Sequence, residues 1–84
     1  SLAAEFAENK IRVNSIAPGF IKSSYYEKFK KNKSKLYKWT LSRIPINKWG
    51  ENSDVAYLTL FLLSENSKYI NGQVIKIDGG WTST

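Results

Sequence analysis

The sequence contains no cysteine and no histidine among its 84 residues. Within this chain, the absence of cysteine excludes disulfide bonds, and the absence of both residues excludes zinc sites built on their side chains. Histidine-based nucleophilic chemistry, such as Ser–His–Asp or Cys–His catalysis, is excluded for the same reason. Long apolar runs are absent as well, so the sequence predicts no transmembrane helix. A chain this short buries little apolar surface, and this one lacks the cross-links that usually stabilise small domains.

The positive charge of the chain is concentrated in one segment. Residues 22–48, the basic segment, carry nine cations and one anion, whereas the remainder carries four cations and six anions. Aromatic residues are interleaved with these lysines, which is compatible with a nucleic-acid surface that places lysines on phosphates and rings on bases. No known nucleic-acid-binding motif accompanies the pattern, and charge runs are usually solvated faces. We therefore favour an exposed amphipathic helical insertion.

The helical spacing of the basic segment predicts two stripes of side chains. The inward-facing stripe consists of Tyr25, Phe29, Asn32, Leu36 and Trp39. The neighbouring stripe, which we expect to be exposed to solvent, consists of Lys28, Lys31, Lys35 and Lys38.

The hydrophobic periodicity predicts an alternation of helices and strands. Helices are predicted over residues 1–8 and 53–64, strands over 11–17 and 73–78, and two short helices within the basic segment, broken near 32–34. Pro18 and Gly19 are expected to end the first strand. The order strand, crossover, strand is typical of a βαβ unit. The helix over 53–64 is apolar around nearly its whole circumference and needs more cover than two strands provide. The sequence therefore predicts an α/β fold, with this chain at the edge of a larger parallel sheet.

Six motifs, in order and spacing, give the chain a family resemblance. They are SLAAEFA at 1–7, IRVNSIAPGFI at 11–21, IPINKWG at 44–50, DVA at 54–56, FLLS at 61–64 and YINGQVIKIDGG at 69–80. Together they resemble the C-terminal third of the short-chain dehydrogenases/reductases. The resemblance implies the C-terminal edge of a Rossmann-type doubly wound sheet, made of its last two parallel strands and their flanking helices. Residues 1–84 would be the C-terminal part of a single Rossmann-fold domain, with the N-terminal cofactor-binding part absent from this chain.

The resemblance also implies a cofactor site around the Pro-Gly loop. Its cofactor-binding residues would be Pro18, Gly19, Phe20, Ile21 and Ser23, and the cofactor would be NAD or NADP. Main-chain atoms near Ile21 would hold the nicotinamide carboxamide, and Ser23 stands where the family usually has threonine. Independently of the family, ligands of open α/β sheets bind beyond the carboxyl ends of the strands, where this loop is predicted to lie.

The catalytic residues of the family are not recognised in this chain. Its serine, tyrosine and lysine are expected upstream of Ser1, so the chain is interpreted as a fragment, either an excerpt of a full reductase or a truncated gene product. Tyr26 and Lys30 match the Tyr-x-x-x-Lys spacing. They follow the Pro-Gly loop, however, whereas the family's pair precedes the strand that leads into it. We interpret this match as chance.

The resemblance implies an NAD(P)-dependent oxidoreductase that moves hydride between its cofactor and an alcohol or carbonyl carbon, as in 3-oxoacyl reductases or sugar and polyol dehydrogenases. The isolated 84 residues are predicted to be inactive. The alternative is a non-catalytic remnant that acts only as an oligomerisation or interaction piece, and a nucleic-acid-binding module is a third, less favoured hypothesis.

The remaining expectations concern the surroundings of the protein. The substrate would be a small or carrier-bound carbonyl or alcohol, and the parent protein a homodimer or homotetramer in the cytoplasm, without a nucleic-acid or membrane partner. The basic segment coincides with the family's substrate lid, where lysines either attract an anionic substrate or are simply solvated. Asp78 is expected to bond nearby backbone at a turn, and Trp49 and Trp81 to pack structurally.

Overall fold

The computed structural model describes residues 1–83 and has the predicted order of helices and strands. The regular elements are the helices α1 (Leu2–Ala7), α2 (Tyr26–Asn32), α3 (Ser34–Arg43) and α4 (Asn52–Leu63), the strands β1 (Ser15–Pro18) and β2 (Val74–Ile77), and 3₁₀ turns at Glu65–Ser67 and Trp81–Ser83. Among the described residues, none of the helices combines the length and hydrophobicity that a bilayer crossing requires.

The two strands pair in parallel, from Ser15 opposite Val74 to Pro18 opposite Ile77. β1 ends at Pro18, as predicted, but Pro18 is itself paired, opposite Ile77, and the next N–H, that of Gly19, still donates to the Ile77 carbonyl at 2.8 Å. In a parallel ladder only alternate residues of one strand bond to a given neighbour. Ser15 and Gly19 occupy the bonding positions, so the missing N–H of Pro18 removes no bond from this ladder.

The predicted first strand also starts too early, since residues 11–14 are irregular. Asparagine side chains replace strand pairing in this stretch. The Val13 N–H donates to the Asn71 side-chain oxygen at 3.0 Å, and the Asn14 amide donates to the Ile70 carbonyl at 3.1 Å. The Asn14 oxygen in turn accepts from the Gln73 N–H at 3.0 Å. These bonds satisfy backbone groups that a longer ladder would otherwise use.

The predicted break in the basic segment is confirmed at Lys33, whose φ of −123° and ψ of 48° lie outside the helical region. The predicted inward stripe is correct at Phe29 and wrong at its other members, and for those in α3 the break at Lys33 has shifted the helical phase. Tyr25, Leu36 and Trp39 are 71%, 49% and 51% exposed. The side chains that pack inward are Tyr26, Phe29, Tyr37, Thr40 and Leu41. The lysine stripe is exposed as predicted, at Lys28, Lys31, Lys35 and Lys38.

The core is a small aromatic cluster, and large apolar faces lie outside it. Tyr26, Ile44 and Trp49 are buried at its centre. On α4, in contrast, Leu60 and Leu63 are 65% and 77% exposed, and Leu62 is its buried residue. Apolar faces of this kind are normally covered. The described residues do not supply that cover, as expected for the edge of a larger sheet.

Candidate functional site

The exit loop, residues 19–23, leaves β1 at the carboxyl end of the two parallel strands. It lies against the chain that leaves β2. A Cβ atom on Gly19 would stand 2.8 Å from the Cβ of Asp78 and 3.0 Å from its Cα. Because real side chains do not approach this closely, only glycine allows the two strand ends to touch at this point. The contact places the exit loop where open α/β sheets bind ligands.

Ile21 forms an isolated parallel bridge with Gly50. The Gly50 N–H donates to the Phe20 carbonyl at 2.9 Å, and the Lys22 N–H donates to the Gly50 carbonyl at 2.8 Å. In such a bridge the N–H and C=O of Ile21 itself point away from Gly50. Within residues 1–83 neither group has a hydrogen-bond partner. One backbone donor and one acceptor are thus presented side by side, the pair that a primary carboxamide can satisfy.

The other predicted cofactor residues have distinct surroundings. Pro18 is exposed at the end of β1. The Phe20 ring packs inward, stacked on Trp49 at 5.1 Å and edge-on to Trp81 at 5.1 Å, so Phe20 offers only its backbone to a ligand. The Ser23 hydroxyl accepts a hydrogen bond from the Tyr25 N–H at 3.3 Å and is exposed. The structure thus brings Gly19, Phe20 and Ile21 together, with Ser23 at the turn before α2.

Trp49 joins the exit loop to the basic segment. Besides Phe20, its ring contacts Tyr26, Phe29 and Tyr37 at centroid distances of 5.2, 5.4 and 5.7 Å. The predicted packing role of Trp49 is confirmed, and Trp81 likewise packs on Phe20 and Trp39. Contacts of this type stabilise aromatic clusters beyond the area they bury. The position of the exit loop therefore depends on the basic segment.

Asp78 has the turn role that the sequence predicts. One carboxylate oxygen accepts from the Gly80 N–H at 2.9 Å, and the other accepts from the Thr82 N–H at 3.1 Å and the Thr82 hydroxyl at 2.8 Å. These bonds, first of all those from Thr82, lower the pKa of Asp78. The carboxylate therefore fixes the chain that leaves β2, directly beside Gly19.

Arg12, which no motif in the sequence singles out, ties α4 to the chain that follows it. Its guanidinium donates to the Leu62 carbonyl at 2.9 Å and to the Ile70 carbonyl at 3.2 Å. The end of a helix leaves carbonyl groups unpaired, and a cation there also interacts favourably with the helix dipole. No periodic signal marks Arg12, because its partners lie at the far end of the sequence.

Tyr26 and Tyr37 form a second contact that the sequence did not reveal. Their hydroxyl oxygens lie 2.7 Å apart, across the junction of α2 and α3. Lys30 contacts Tyr26 through the ring face, with its ammonium nitrogen 5.8 Å from the ring centroid. The Tyr26 hydroxyl is bonded to Tyr37, so the arrangement is different from an acid–base pair in which the lysine serves the hydroxyl.

Comparison with known proteins places this fold in a family. Residues 1–82 match the family model described as Enoyl-(Acyl carrier protein) reductase. The chain is 47% identical over 78 residues to the 3-oxoacyl-[acyl-carrier-protein] reductase FabG of Thermotoga maritima, covering 93% of this chain and 30% of that protein. It is 39% identical over 83 residues to the 2-dehydro-3-deoxy-D-gluconate 5-dehydrogenase of Bacillus subtilis, covering 99% of this chain and 32% of that protein.

Solved structures of dehydrogenases also superpose on this chain. A putative 2-deoxy-d-gluconate 3-dehydrogenase from Agrobacterium tumefaciens with bound NADP superposes with a TM-score of 0.89 and 37% identity, over 99% of this chain and 33% of that one. A 4-hydroxyisoleucine dehydrogenase complexed with NADH superposes with a TM-score of 0.90 and 36% sequence identity, over 99% of this chain and 34% of that one.

The fold is the C-terminal edge of a Rossmann-type α/β sheet, with its candidate site at the strand ends. The chain belongs to the short-chain dehydrogenase/reductase family. It spans about a third of the length of the relatives it matches.

Proposed function

We propose that these residues are the C-terminal part of an NAD(P)-dependent oxidoreductase that transfers hydride between a nicotinamide cofactor and an alcohol or carbonyl carbon. The observation that carries the proposal is the unpaired N–H and C=O of Ile21 at the carboxyl end of β1. The names of the relatives, which are reductases and dehydrogenases, support the activity. NADP and NADH in the two solved relatives support the choice of cofactor.

In this proposal four residues of the exit loop have separate tasks. The N–H and C=O of Ile21 hold the carboxamide, which fixes the face of the nicotinamide ring that is offered to the substrate. Gly19 keeps the loop against Asp78, and the Phe20 ring anchors it to Trp49. The Ser23 hydroxyl is exposed at the end of the loop and contributes a further polar contact. The bound cofactor supplies or accepts the hydride.

The isolated 84 residues are inactive in this proposal. The catalytic serine, tyrosine and lysine of the family would lie upstream of Ser1, together with the phosphate-binding turn. Large apolar side chains on α4 and β2 are exposed, among them Leu60, Leu63 and Val74. Their exposure supports the view that other parts of a longer protein cover them. Part of this surface would be covered by the rest of the sheet, and part by a second subunit of a homodimer or homotetramer.

The basic segment is the substrate lid in this proposal. Its substrate is a small or carrier-bound carbonyl or alcohol, as in 3-oxoacyl reductases or sugar dehydrogenases. The contacts of Trp49 with Tyr26 and Phe29 support the assignment, because they hold the segment beside the exit loop. The protein would act in the cytoplasm, with which a chain free of cysteine is compatible.

Replacing Ile21 tests the role of its backbone. In the full-length protein, Ile21→Pro removes the N–H, whereas Ile21→Val keeps it. One hydrogen bond contributes about 0.5–1.5 kcal/mol, so we expect the proline variant to bind NADH and NADPH about two- to twelvefold more weakly and the valine variant to bind as tightly as wild type. Cofactor fluorescence measures the affinity, and circular dichroism checks the fold. Equal affinity of a folded proline variant would contradict the assignment.

A further inference from the structure

The phenol pair of Tyr26 and Tyr37 is surrounded by positive charge. The two rings meet edge to face, with centroids 5.7 Å apart and hydroxyl oxygens 2.7 Å apart. The Lys30 ammonium lies 5.8 Å from the Tyr26 centroid and 5.7 Å from that of Tyr37. The Lys22 ammonium lies 5.2 Å from the Tyr26 centroid. Two ammonium groups therefore lie near the rings of the bonded phenol pair at the junction of α2 and α3.

The hydroxyl pair has one hydrogen-bond donor to spare. Each phenol carries a single O–H, and one of the two is used in the bond between them. The second O–H has no acceptor among the residues that the structure describes. The bond with Tyr26 also raises the pKa of the Tyr37 hydroxyl, which favours the protonated form of Tyr37. The pair can therefore offer one O–H donor to a ligand.

The two lysines differ in their carboxylate partners. Lys22 is paired with Glu51, whose side-chain oxygen lies 2.7 Å from the ammonium. No carboxylate of the described residues forms a salt bridge with Lys30. An ammonium without a carboxylate partner, near two rings whose hydroxyls have one O–H to spare, is suited to an anion with oxygen acceptors. Lys30 is also exposed, so of the two lysines it is the one available to a ligand.

The phenol pair also lies close to the candidate cofactor site. Tyr26 packs on Trp49 at 5.2 Å, and Trp49 packs on Phe20 of the exit loop at 5.1 Å. Two ring contacts therefore separate it from the loop. We propose that Lys30 and the Tyr26–Tyr37 pair form a subsite for an anionic group of the substrate, a carboxylate or a phosphate. The assignment to a substrate rests on the proposed function, whereas the binding of an anion does not.

Binding of simple anions tests the subsite without turnover. Inorganic phosphate and acetate are titrated into the full-length protein at constant ionic strength, followed by phosphorus line broadening and by saturation-transfer NMR. The variants are Lys30→Met, which removes the charge, and Y26F/Y37F, which removes both hydroxyls and keeps the rings. Lys35→Met is the matched control, because Lys35 is exposed on the same segment and its loss changes the net charge equally.

We expect saturable binding of at least one anion by wild type and Lys35→Met, weakened at least fivefold in Lys30→Met and Y26F/Y37F. Preference for phosphate or for acetate identifies the group that the subsite takes. Absence of saturable binding, or equal weakening in Lys30→Met and Lys35→Met, would overturn the proposal. Circular dichroism confirms that each variant is folded.

Kinetics separates the subsite from the proposed function. Acetoacetate and methyl acetoacetate offer the same ketone with and without a carboxylate. For a carboxylate subsite, Lys30→Met lowers kcat/KM for acetoacetate at least fivefold relative to methyl acetoacetate, while Lys35→Met leaves the ratio unchanged. Reduction of neither ketone by a protein that still binds anions through Lys30 would count against the oxidoreductase and support the anion site alone. An unchanged ratio with acetate bound through Lys30 would overturn the assignment of the subsite to substrate.

Discussion

The indole N–H of Trp49 donates a hydrogen bond to the hydroxyl of Thr40 at 2.8 Å, within the aromatic cluster. Thr40 is 1% exposed and Trp49 is 8% exposed, so water does not replace this bond. Trp49 also stacks on Phe20 of the exit loop, and Thr40 belongs to α3 of the basic segment. The bond therefore fixes the segment proposed as a lid against the loop proposed to bind the cofactor.

Replacement of Thr40 should test this connection. Thr40→Val keeps the volume but leaves the buried indole N–H without an acceptor, which costs about 1–3 kcal/mol. Thr40→Ser retains the hydroxyl, and its free energy of unfolding should fall clearly less than that of Thr40→Val. Urea unfolding followed by tryptophan fluorescence measures both in the full-length protein. Equal stabilities of the valine and serine variants would show that the hydrogen bond contributes little.

Arg12 should be among the most sensitive polar positions of the chain. Arg12→Met keeps most of the apolar stem and removes the donors to the Leu62 and Ile70 carbonyls. Hydrogen bonds from charged groups contribute about 1.5–3 kcal/mol each; because Arg12 is only partly buried, we expect less than the sum of the two, a loss of about 2–4 kcal/mol in the free energy of unfolding. Lys68→Met is the control, since Lys68 is exposed and the net charge changes equally. A loss no larger than that of the control would contradict the role of Arg12.

The order of elements was predictable because hydrophobic periodicity and the Pro and Gly positions are local properties of the sequence. The pairing register of β1 with β2 and the helix residues that face the core were not predictable. Pro18 remains in the ladder because the backbone N–H at its position would point away from β2. This register depends on how β1 pairs with β2 and cannot be seen in β1 alone. The inward stripe changed because Lys33 breaks the helical phase. Helical spacing applies only within one uninterrupted helix.

In the candidate site, too, the local features could be predicted from the sequence and the contacts between distant residues could not. The Pro-Gly loop is a local motif, and its place at the strand ends could be predicted from the βαβ order. The free N–H and C=O of Ile21 could not be predicted, because their direction is set by the bridge between Ile21 and Gly50. The contact of Tyr26 with Tyr37 crosses from one helix to the next. No helical spacing connects residues across such a junction.

Gly19 should tolerate no side chain. The Cβ of Gly19→Ala would lie 2.8 Å from the Cβ of Asp78, so the exit loop has to move away from the chain leaving β2. Overpacking of this kind costs about 1–3 kcal/mol, and the displaced Ile21 should weaken cofactor binding several-fold. Ser24→Ala, an exposed change just beyond the loop, serves as the control. Cofactor titration and urea unfolding measure the two effects, and a fully active, stable Gly19→Ala would argue against the close approach.

Asp78 should give the chain an acid-sensitive contact. Hydrogen bonds from Thr82 and Gly80 lower the pKa of Asp78 in the folded state below its ordinary value of 3.8. A depressed carboxylate pKa stabilises the fold above the unfolded value and loses this contribution as the pH falls through the folded pKa. Asp78→Asn should therefore be less stable than wild type at neutral pH, and the difference should shrink as the pH falls below about 4. Urea unfolding at several pH values measures this difference, and a gap that persists unchanged at low pH would exclude the carboxylate charge as its cause.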